Sequence, residues 1–280
     1  MPSASASSSR PLRCALVGYT GFVGSNLRSQ APFGSIYNSK NIEEIAGQSF
    51  DLLVFAGAQA KKWWANKEPE ADWQGIERAL QAMQSVKAKQ AVLISTIDAV
   101  PPGVGLDEAA DCHAVDNHAY GRNRLALEDA FRVQFDNPLI VRLPGLFGPG
   151  LRKNVIYDLL TDNILDKINP ASSFQYYDLT RLWDDIQTAQ AAGLDLVHLV
   201  TEPVATSEII DAYFPGKRVG WDAAPIGAYD FRTRHGAVFA GAGAPSGYIE
   251  AKQCVLARMG RFIESWRNGS AQEAGPAMAA

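Results

Sequence analysis

Gly18, Gly21 and Gly24 stand three residues apart in Val17-Gly18-Tyr19-Thr20-Gly21-Phe22-Val23-Gly24, directly after an apolar run and at the start of a helical pattern. The first glycine of such a set permits a tight turn, the second lets backbone approach a pyrophosphate, and the third lets helix and strand pack closely. The helix start adds free N–H groups and the positive end of its dipole. Together these features seat the phosphates of a dinucleotide, with Tyr19, Thr20, Phe22 and Val23 completing the bend. A ligand-free glycine turn has the same composition; the strand before it and the helix after it favour the phosphate seat.

A second group of residues has proton-transfer chemistry. Ser95-Thr96-Ile97-Asp98 ends another apolar run, where a hydroxyl faces the cleft of an open sheet. A hydroxyl satisfying a local backbone group is the plainer reading of either Ser95 or Thr96 taken alone. Tyr120 and Arg124 follow at a spacing that puts both on one face of a helix. A phenol has a pKa near ~10 and is a poor acid–base group at neutrality. A neighbouring cation favours phenolate and makes the tyrosine a usable proton shuttle. A buried tyrosine beside a surface arginine is the bland alternative.

The Thr20-Gly21-Phe22-Val23-Gly24 stretch, with Thr96 and Tyr120-Gly121-Arg122-Asn123-Arg124 downstream, resembles the extended branch of the short-chain dehydrogenase/reductase family. That branch includes nicotinamide-dependent epimerases, dehydratases and reductases of sugar nucleotides, and the resemblance runs over residues 12 to 266. It implies that Thr96 polarises the substrate's carbonyl or hydroxyl and that Tyr120 transfers the proton. The family motif is Tyr-x-x-x-Lys, its lysine both lowering the phenol and holding the nicotinamide ribose. Here Arg124 takes the lysine's place. Arginine keeps a permanent charge and a five-donor fork but cannot enter a proton relay. The resemblance therefore implies either an NAD(P)-dependent oxidoreductase, epimerase or dehydratase acting on a secondary alcohol or ketone of a sugar, or a catalytically silent dinucleotide-binding sensor or scaffold.

Further contacts follow from the same resemblance. Ala56-Gly57-Ala58 lines the adenine and pyrophosphate side, and the backbone around Pro144, Gly145 and Leu146 meets the nicotinamide. Gln175 is a candidate sugar or phosphate contact, although half-buried strand packing is the plainer explanation. An acidic residue at the end of the second strand would bind the ribose hydroxyls of NAD and repel a 2′-phosphate. Asn38-Ser39-Lys40 stands there instead, which favours NADP over NAD, with Glu43 and Glu44 the nearest acids. Lys61-Lys62-Trp63-Trp64 reads as a substrate wall or an exposed loop, and His118 as a cleft residue or a satisfied loop histidine.

These residues need a scaffold, and the pattern supplies one. Strands are expected at 12–17, 36–37, 52–55, 91–94, 139–143 and 196–200. Helices are expected at 22–29, 71–86, 120–135, 154–165, 179–191 and 251–266. The alternation argues for an α/β, Rossmann-type doubly wound parallel sheet covered on both faces. The short stretch between Asn38 and Asp51 leaves room for one crossover but no extra strand, so that edge of the sheet is expected to be trimmed. Residues 12–150 are expected to form the dinucleotide-binding domain and 151–268 a small substrate lobe with returning elements. Tails are expected at 1–11 and 269–280.

The 280-residue chain carries 26 basic and 30 acidic side chains, a formal net charge of −4. No basic run suggests a nucleic-acid footprint and no apolar run suggests a membrane span. The expected partners are a small-molecule substrate and a second copy of the chain, since related folds pair through the helices near Ala71 and Tyr120. Three scattered cysteines and four histidines without ligand spacing point to a reduced, cytoplasmic protein with no metal site.

Overall fold

The computed structural model describes residues 12–220, 225–239 and 245–269. The tail expected at 1–11, and residues 270–280 of the one expected from 269, lie outside the described residues.

Six parallel strands form the main sheet: β1 (Cys14–Val17), β2 (Ser35–Tyr37), β3 (Ser49–Phe55), β4 (Lys87–Thr96), β5 (Pro138–Leu143) and a late strand, Leu196–His198. Three short strands precede that late one: β6 (Gly145–Phe147), β7 (Ser173–Phe174) and β8 (Tyr176–Asp178), so it is β9. The order across the sheet is β2-β1-β3-β4-β5-β9. Side chains alternate faces along a strand, and here both faces are buried. Ala15, Val17, Leu53, Phe55, Leu93 and Ile140 meet one apolar layer, whereas Leu16, Leu52, Val54, Val92 and Val141 meet the other. This is the doubly wound Rossmann arrangement expected from the sequence.

Helices α1 (Phe22–Gln30), α2 (Lys62–Lys67), α3 (Pro69–Met83) and α4 (Ala119–Gln134) belong to the first half. Pro69 opens α3 with Glu70 and Asp72 in its first turn, where the missing N–H and the dipole suit proline and acids. The connection from β2 to β3 holds only a 3-10 turn, Ile42–Ile45, and β2 is the outermost strand. The trimmed edge is thus present.

The second half adds α5 (Val155–Thr161), α6 (Leu182–Ala191), α7 (Thr206–Tyr213), α8 (Gly236–Phe239) and α9 (Lys252–Arg267), together with β10 (Val204–Ala205). β6 pairs with β8 in parallel, and β7 with β10 antiparallel. Phe147, Ile156, Leu159, Ile209, Val255 and Met259 give this part its own apolar core. Two expected helices are shorter than read: 154–165 contracts to α5, ended by Asp162 in the left-handed region, and 179–191 begins with a 3-10 turn before α6.

β1 leads to β2 on one side, while β3 lies on its other side. Strand order reverses between β1 and β3, and the crevice outside their carboxyl ends is where open α/β sheets bind ligands.

Candidate functional site

The glycine turn sits at that crevice. Gly18 has φ +89°, and a side chain there would strike the Ala56 carbonyl at the end of β3. A side chain on Gly24 would strike the Gly18 carbonyl. Both glycines are required by close backbone approach. Gly21 differs: a Cβ on it would meet only the Gly18 oxygen, at 3.4 Å. Gly21 caps α1 without a side-chain hydrogen bond, and the first turn carries no acidic residue. The α1 start therefore offers open space, N–H donors and positive potential, which fits a pyrophosphate. Tyr19 carries Arg28 over its ring at 5.3 Å, Thr20 is exposed, and Phe22 and Val23 pack on the second sheet face.

Asn38, Ser39 and Lys40 form the turn after β2, whose last residue accepts a 2.7 Å hydrogen bond from the Gly18 N–H. The Asn38 side chain accepts from the Lys40 N–H at 2.8 Å, leaving Ser39 and Lys40 exposed beside the crevice. Of the two nearby acids, Glu43 turns away to Arg78, whose Nε lies 2.8 Å off. Ala56 donates to the Val17 carbonyl at 2.8 Å, and Gly57 nestles against Phe55 and Val17, where a Cβ would have 3.2 Å. Ala58 packs on the first-face core.

Strand alternation separates the two hydroxyls that the sequence left interchangeable. Ser95 is buried and donates to Glu128 at 2.6 Å, inside a network in which Arg142 grips the same carboxylate at 2.9 and 2.6 Å. Thr96 instead lines a cavity of about 360 Å³ with Lys62, Asp98, Pro144, Gly145 and Tyr229 among its walls. Asn154, Phe174 and Tyr176 also line it, Phe174 packing on Tyr229 with ring centroids 5.7 Å apart.

Tyr120 opens α4 beside this cavity. Gly121 is tight here, since a Cβ would strike the Asp98 carbonyl and the Asn117 amide. Burial pushes the Tyr120 phenol up; the Arg124 charge and hydrogen bonding from Arg124 and Thr96 offset this only in part, and Asp98 adds to the rise. The cation expected to favour phenolate is thus outweighed.

The reason lies in where Arg124 goes. Its guanidinium stacks over the Tyr120 ring at 4.4 Å but is forked onto Asp72 at 2.7 and 3.0 Å. It also donates to the Gln59 carbonyl. Three of its five N–H donors are thus given to protein acceptors. Tyr177 and Arg181 repeat the Tyr-x-x-x-Arg spacing, but Tyr177 is buried and donates to Asp185 at 2.7 Å.

Gln175 lines the same cavity, and its side chain makes the packing contacts that were the plainer of its two readings. Its amide nitrogen donates to the Thr201 and Phe231 carbonyls at 2.6 and 2.9 Å, and its oxygen accepts from the Phe231 N–H at 2.8 Å. The side chain ties three segments together, while the Gln175 backbone carbonyl accepts from the Gly145 N–H at 3.1 Å. That bond fixes the Pro144-Gly145-Leu146 backbone along the cavity, and a Cβ on Gly145 would lie 2.8 Å from the same oxygen.

Other residues of the site had open readings in the sequence or, like Tyr229, none. Lys62 lies on α2, where the sequence left a wall or a loop, and its ammonium meets Asp98 at 2.6 Å and the Tyr229 hydroxyl at 3.1 Å. Burial alone would lower this lysine, but Asp98 and Tyr229 outweigh it and push it up. Burial alone would likewise raise Asp98, but His118 and Lys62 outweigh it and bring it down. His118 caps α4, its Nδ1 accepting from Gly121 at 2.9 Å, and its Nε2 stands 3.7 Å from Asp98. Lys153 donates to the Ala60 carbonyl; burial and the nearby Lys61 charge lower it. Asp98 was legible beside Thr96, whereas Tyr229 comes from a loop with no local signal. Among the described residues no His, Cys, Asp and Glu cluster is arranged to hold a metal ion, and no helix is long and apolar enough to cross a membrane.

A glycine turn at the topological switch point, beside a hydroxyl-lined cavity at the strands' carboxyl ends, places the chain in the Rossmann class of doubly wound α/β folds. Its structural likenesses are to enzymes of nucleotide sugars. An NAD-dependent NDP-hexosamine 5,6-dehydratase of tunicamycin biosynthesis aligns with a TM-score of 0.69 at 15% identity, over 92% of this chain and 98% of that one. The dTDP-4-dehydrorhamnose reductase of Bacillus anthracis str. Ames, in complex with NADP, gives 0.68 at 16%, over 92% and 100%. The UDP-glucose 4-epimerase of Thermotoga maritima, with UDP-glucose, gives 0.67 at 12%, over 92% and 100%. At such identities what is shared is the fold. No family model and no curated protein matches the sequence.

Proposed function

We propose that the chain binds a nicotinamide dinucleotide and acts as an oxidoreductase, epimerase or dehydratase on a secondary alcohol or ketone of a sugar nucleotide. The observation that carries this reading is the hydrogen-bonded Thr96–Tyr120 hydroxyl pair, Thr96 lining the cavity, at the same carboxyl end of the sheet as the open Gly21 seat. Gly18, Gly21 and the first turn of α1 would hold the pyrophosphate, and Pro144 to Leu146 would line the nicotinamide. When bound, the dinucleotide supplies or accepts a hydride. Thr96 orients the substrate oxygen, and Tyr120 moves the proton on that oxygen. NADP is the favoured form, because Ser39 and Lys40 stand exposed where an acid would select NAD and Glu43 is drawn off by Arg78.

The aromatic wall of Phe174, Tyr176 and Tyr229 suits a sugar ring, and the solved structures of similar fold include complexes with UDP-glucose. One observation favours a second reading, a dinucleotide-binding protein without turnover: Arg124 is spent on Asp72 and the Tyr120 phenol is pushed up. Fluorescence titration with NADPH and NADH, followed by nicotinamide absorbance across a panel of UDP- and dTDP-hexoses and their 4-keto forms, separates the two. Turnover that Tyr120→Phe abolishes while NADPH still binds supports the enzyme. Binding without any turnover supports the silent protein, and failure of both coenzymes to bind overturns both readings.

A further inference from the structure

The cavity contains one ammonium that neither the glycine turn nor the hydroxyl pair accounts for. A lysine ammonium has three N–H donors. Two of those of Lys62 are fixed, one on Asp98 at 2.6 Å and one on the Tyr229 hydroxyl at 3.1 Å, and the side chain remains 37% exposed while lining the cavity beside Thr96. One donor is left for a ligand, and its direction is set by the other two.

We propose that Lys62 contacts the substrate, its third N–H holding the same sugar oxygen that Thr96 addresses. This rests on the sugar-nucleotide reading above. The Asp98 carboxylate balances the ammonium's charge, so the pair presents an oriented donor more than a free cation. Such a donor suits a neutral hydroxyl or a carbonyl and is poorly suited to a diphosphate. Where negative charge develops on that oxygen, a fixed charge-assisted donor stabilises it without reorganisation. Lys62 thus supplies the cation to the reacting oxygen that Arg124, forked onto Asp72, does not.

The test is calorimetry on the full chain with UDP and with UDP-glucose, for the parent, Lys62→Met, Lys62→Arg and Tyr229→Phe. NADPH fluorescence serves as the control for folding. Lys62→Met is expected to weaken UDP-glucose about tenfold or more, the size of one charge-assisted hydrogen bond, and to leave UDP within about twofold. Lys62→Arg restores part of the loss. Tyr229→Phe, which deletes only the orienting hydroxyl, weakens UDP-glucose about threefold. Equal UDP-glucose affinity in the parent and Lys62→Met overturns the contact. Equal losses for UDP and UDP-glucose also overturn it, because they move Lys62 to the phosphates. A parent that binds NADPH but not UDP-glucose overturns the contact and leaves the dinucleotide reading standing; a parent that binds no coenzyme overturns that reading as well.

Discussion

Arg124 and Asp72 form a two-bonded ion pair, 2.7 Å from Nη1 to Oδ2 and 3.0 Å from Nη2 to Oδ1, with side chains only 3% and 2% exposed. The pair links the first turn of α3 to the second turn of α4 and holds the guanidinium against the Tyr120 ring. Removing one partner of such a pair strands a buried charge, at a cost of about 3–5 kcal/mol. Asp72→Asn is therefore expected to lower the urea midpoint sharply, by an amount equivalent to that range. A midpoint close to the parent's would mean that the pair is not formed in solution.

The same geometry decides what Arg124→Lys does. A lysine restores the family motif, but a single ammonium cannot reproduce a planar fork on Asp72 and also reach the Gln59 carbonyl. We expect the variant to lose stability and gain no turnover across the sugar-nucleotide panel. A variant that turns over substrates on which the parent is inert would establish the silent-protein reading instead.

Gly21 and Gly24 should separate ligand binding from folding. Gly24→Ala drives a methyl into the Gly18 carbonyl, so helix α1 must move and the fold suffers with the site. Gly21→Ala has room, its Cβ meeting only that oxygen at 3.4 Å, and as a helix-cap change it costs ~1 kcal/mol or less. Its methyl occupies the space where the phosphates approach. The expected result is a nearly unchanged melting temperature with NADPH affinity down about tenfold or more. Unaltered affinity in Gly21→Ala would place the pyrophosphate elsewhere.

Neighbouring hydroxyls on β4 are expected to fail in opposite ways. Ser95→Ala deletes a buried bond to the Glu128 carboxylate, worth about 1.5–3 kcal/mol, and should destabilise without touching coenzyme binding or turnover. Thr96→Val gives up the capping bond that the Thr96 hydroxyl accepts from the Asp98 N–H at 3.2 Å, at about 0.5–2 kcal/mol, and removes the oxygen that addresses the substrate. Turnover surviving Thr96→Val and lost in Ser95→Ala would exchange their roles.

The parts of this fold that sequence disclosed are those whose signals are local. Leu16, Leu53, Val92 and Val141 sit in unbroken apolar runs because both faces of the sheet are covered, and the Gly18 turn carries its own steric logic. Helix α2 went unread because it is short and buries only Ala65, with Trp63 71% exposed, so no apolar stripe marks it. Arg124 looked like a cleft residue because its partner lies 52 positions away. Gln175 was a candidate contact only through the family resemblance, and its side-chain partners are the backbones of Thr201 and Phe231. In each case the misread residue answers to a group that only the tertiary fold brings near.

A last expectation concerns acid. His198 ends β9 fully buried, with Nε2 3.2 Å from an Arg142 N–H and Nδ1 2.9 Å from the Arg232 carbonyl. An arginine only donates, so Nε2 carries the lone pair and Nδ1 the hydrogen, which makes the ring neutral. Burial lowers this histidine from its ordinary 6.5; Glu108 opposes the shift and Arg142 reinforces it. Because the folded pKa lies below the unfolded one, the unfolded chain takes up the proton first. The contribution to stability is complete above 6.5 and is lost as pH falls through the folded value. Glu128, through Arg142, and Glu108, which accepts from the His198 N–H at 2.7 Å, are the carboxylates that face the same pocket. The parent's urea midpoint should therefore fall between about pH 7.5 and about pH 5.5, and His198→Gln, less stable at the upper end, should fall less steeply. Identical slopes for the two proteins over that interval would mean that His198 is already charged in the folded state, and that Arg142 is held by Glu128 alone.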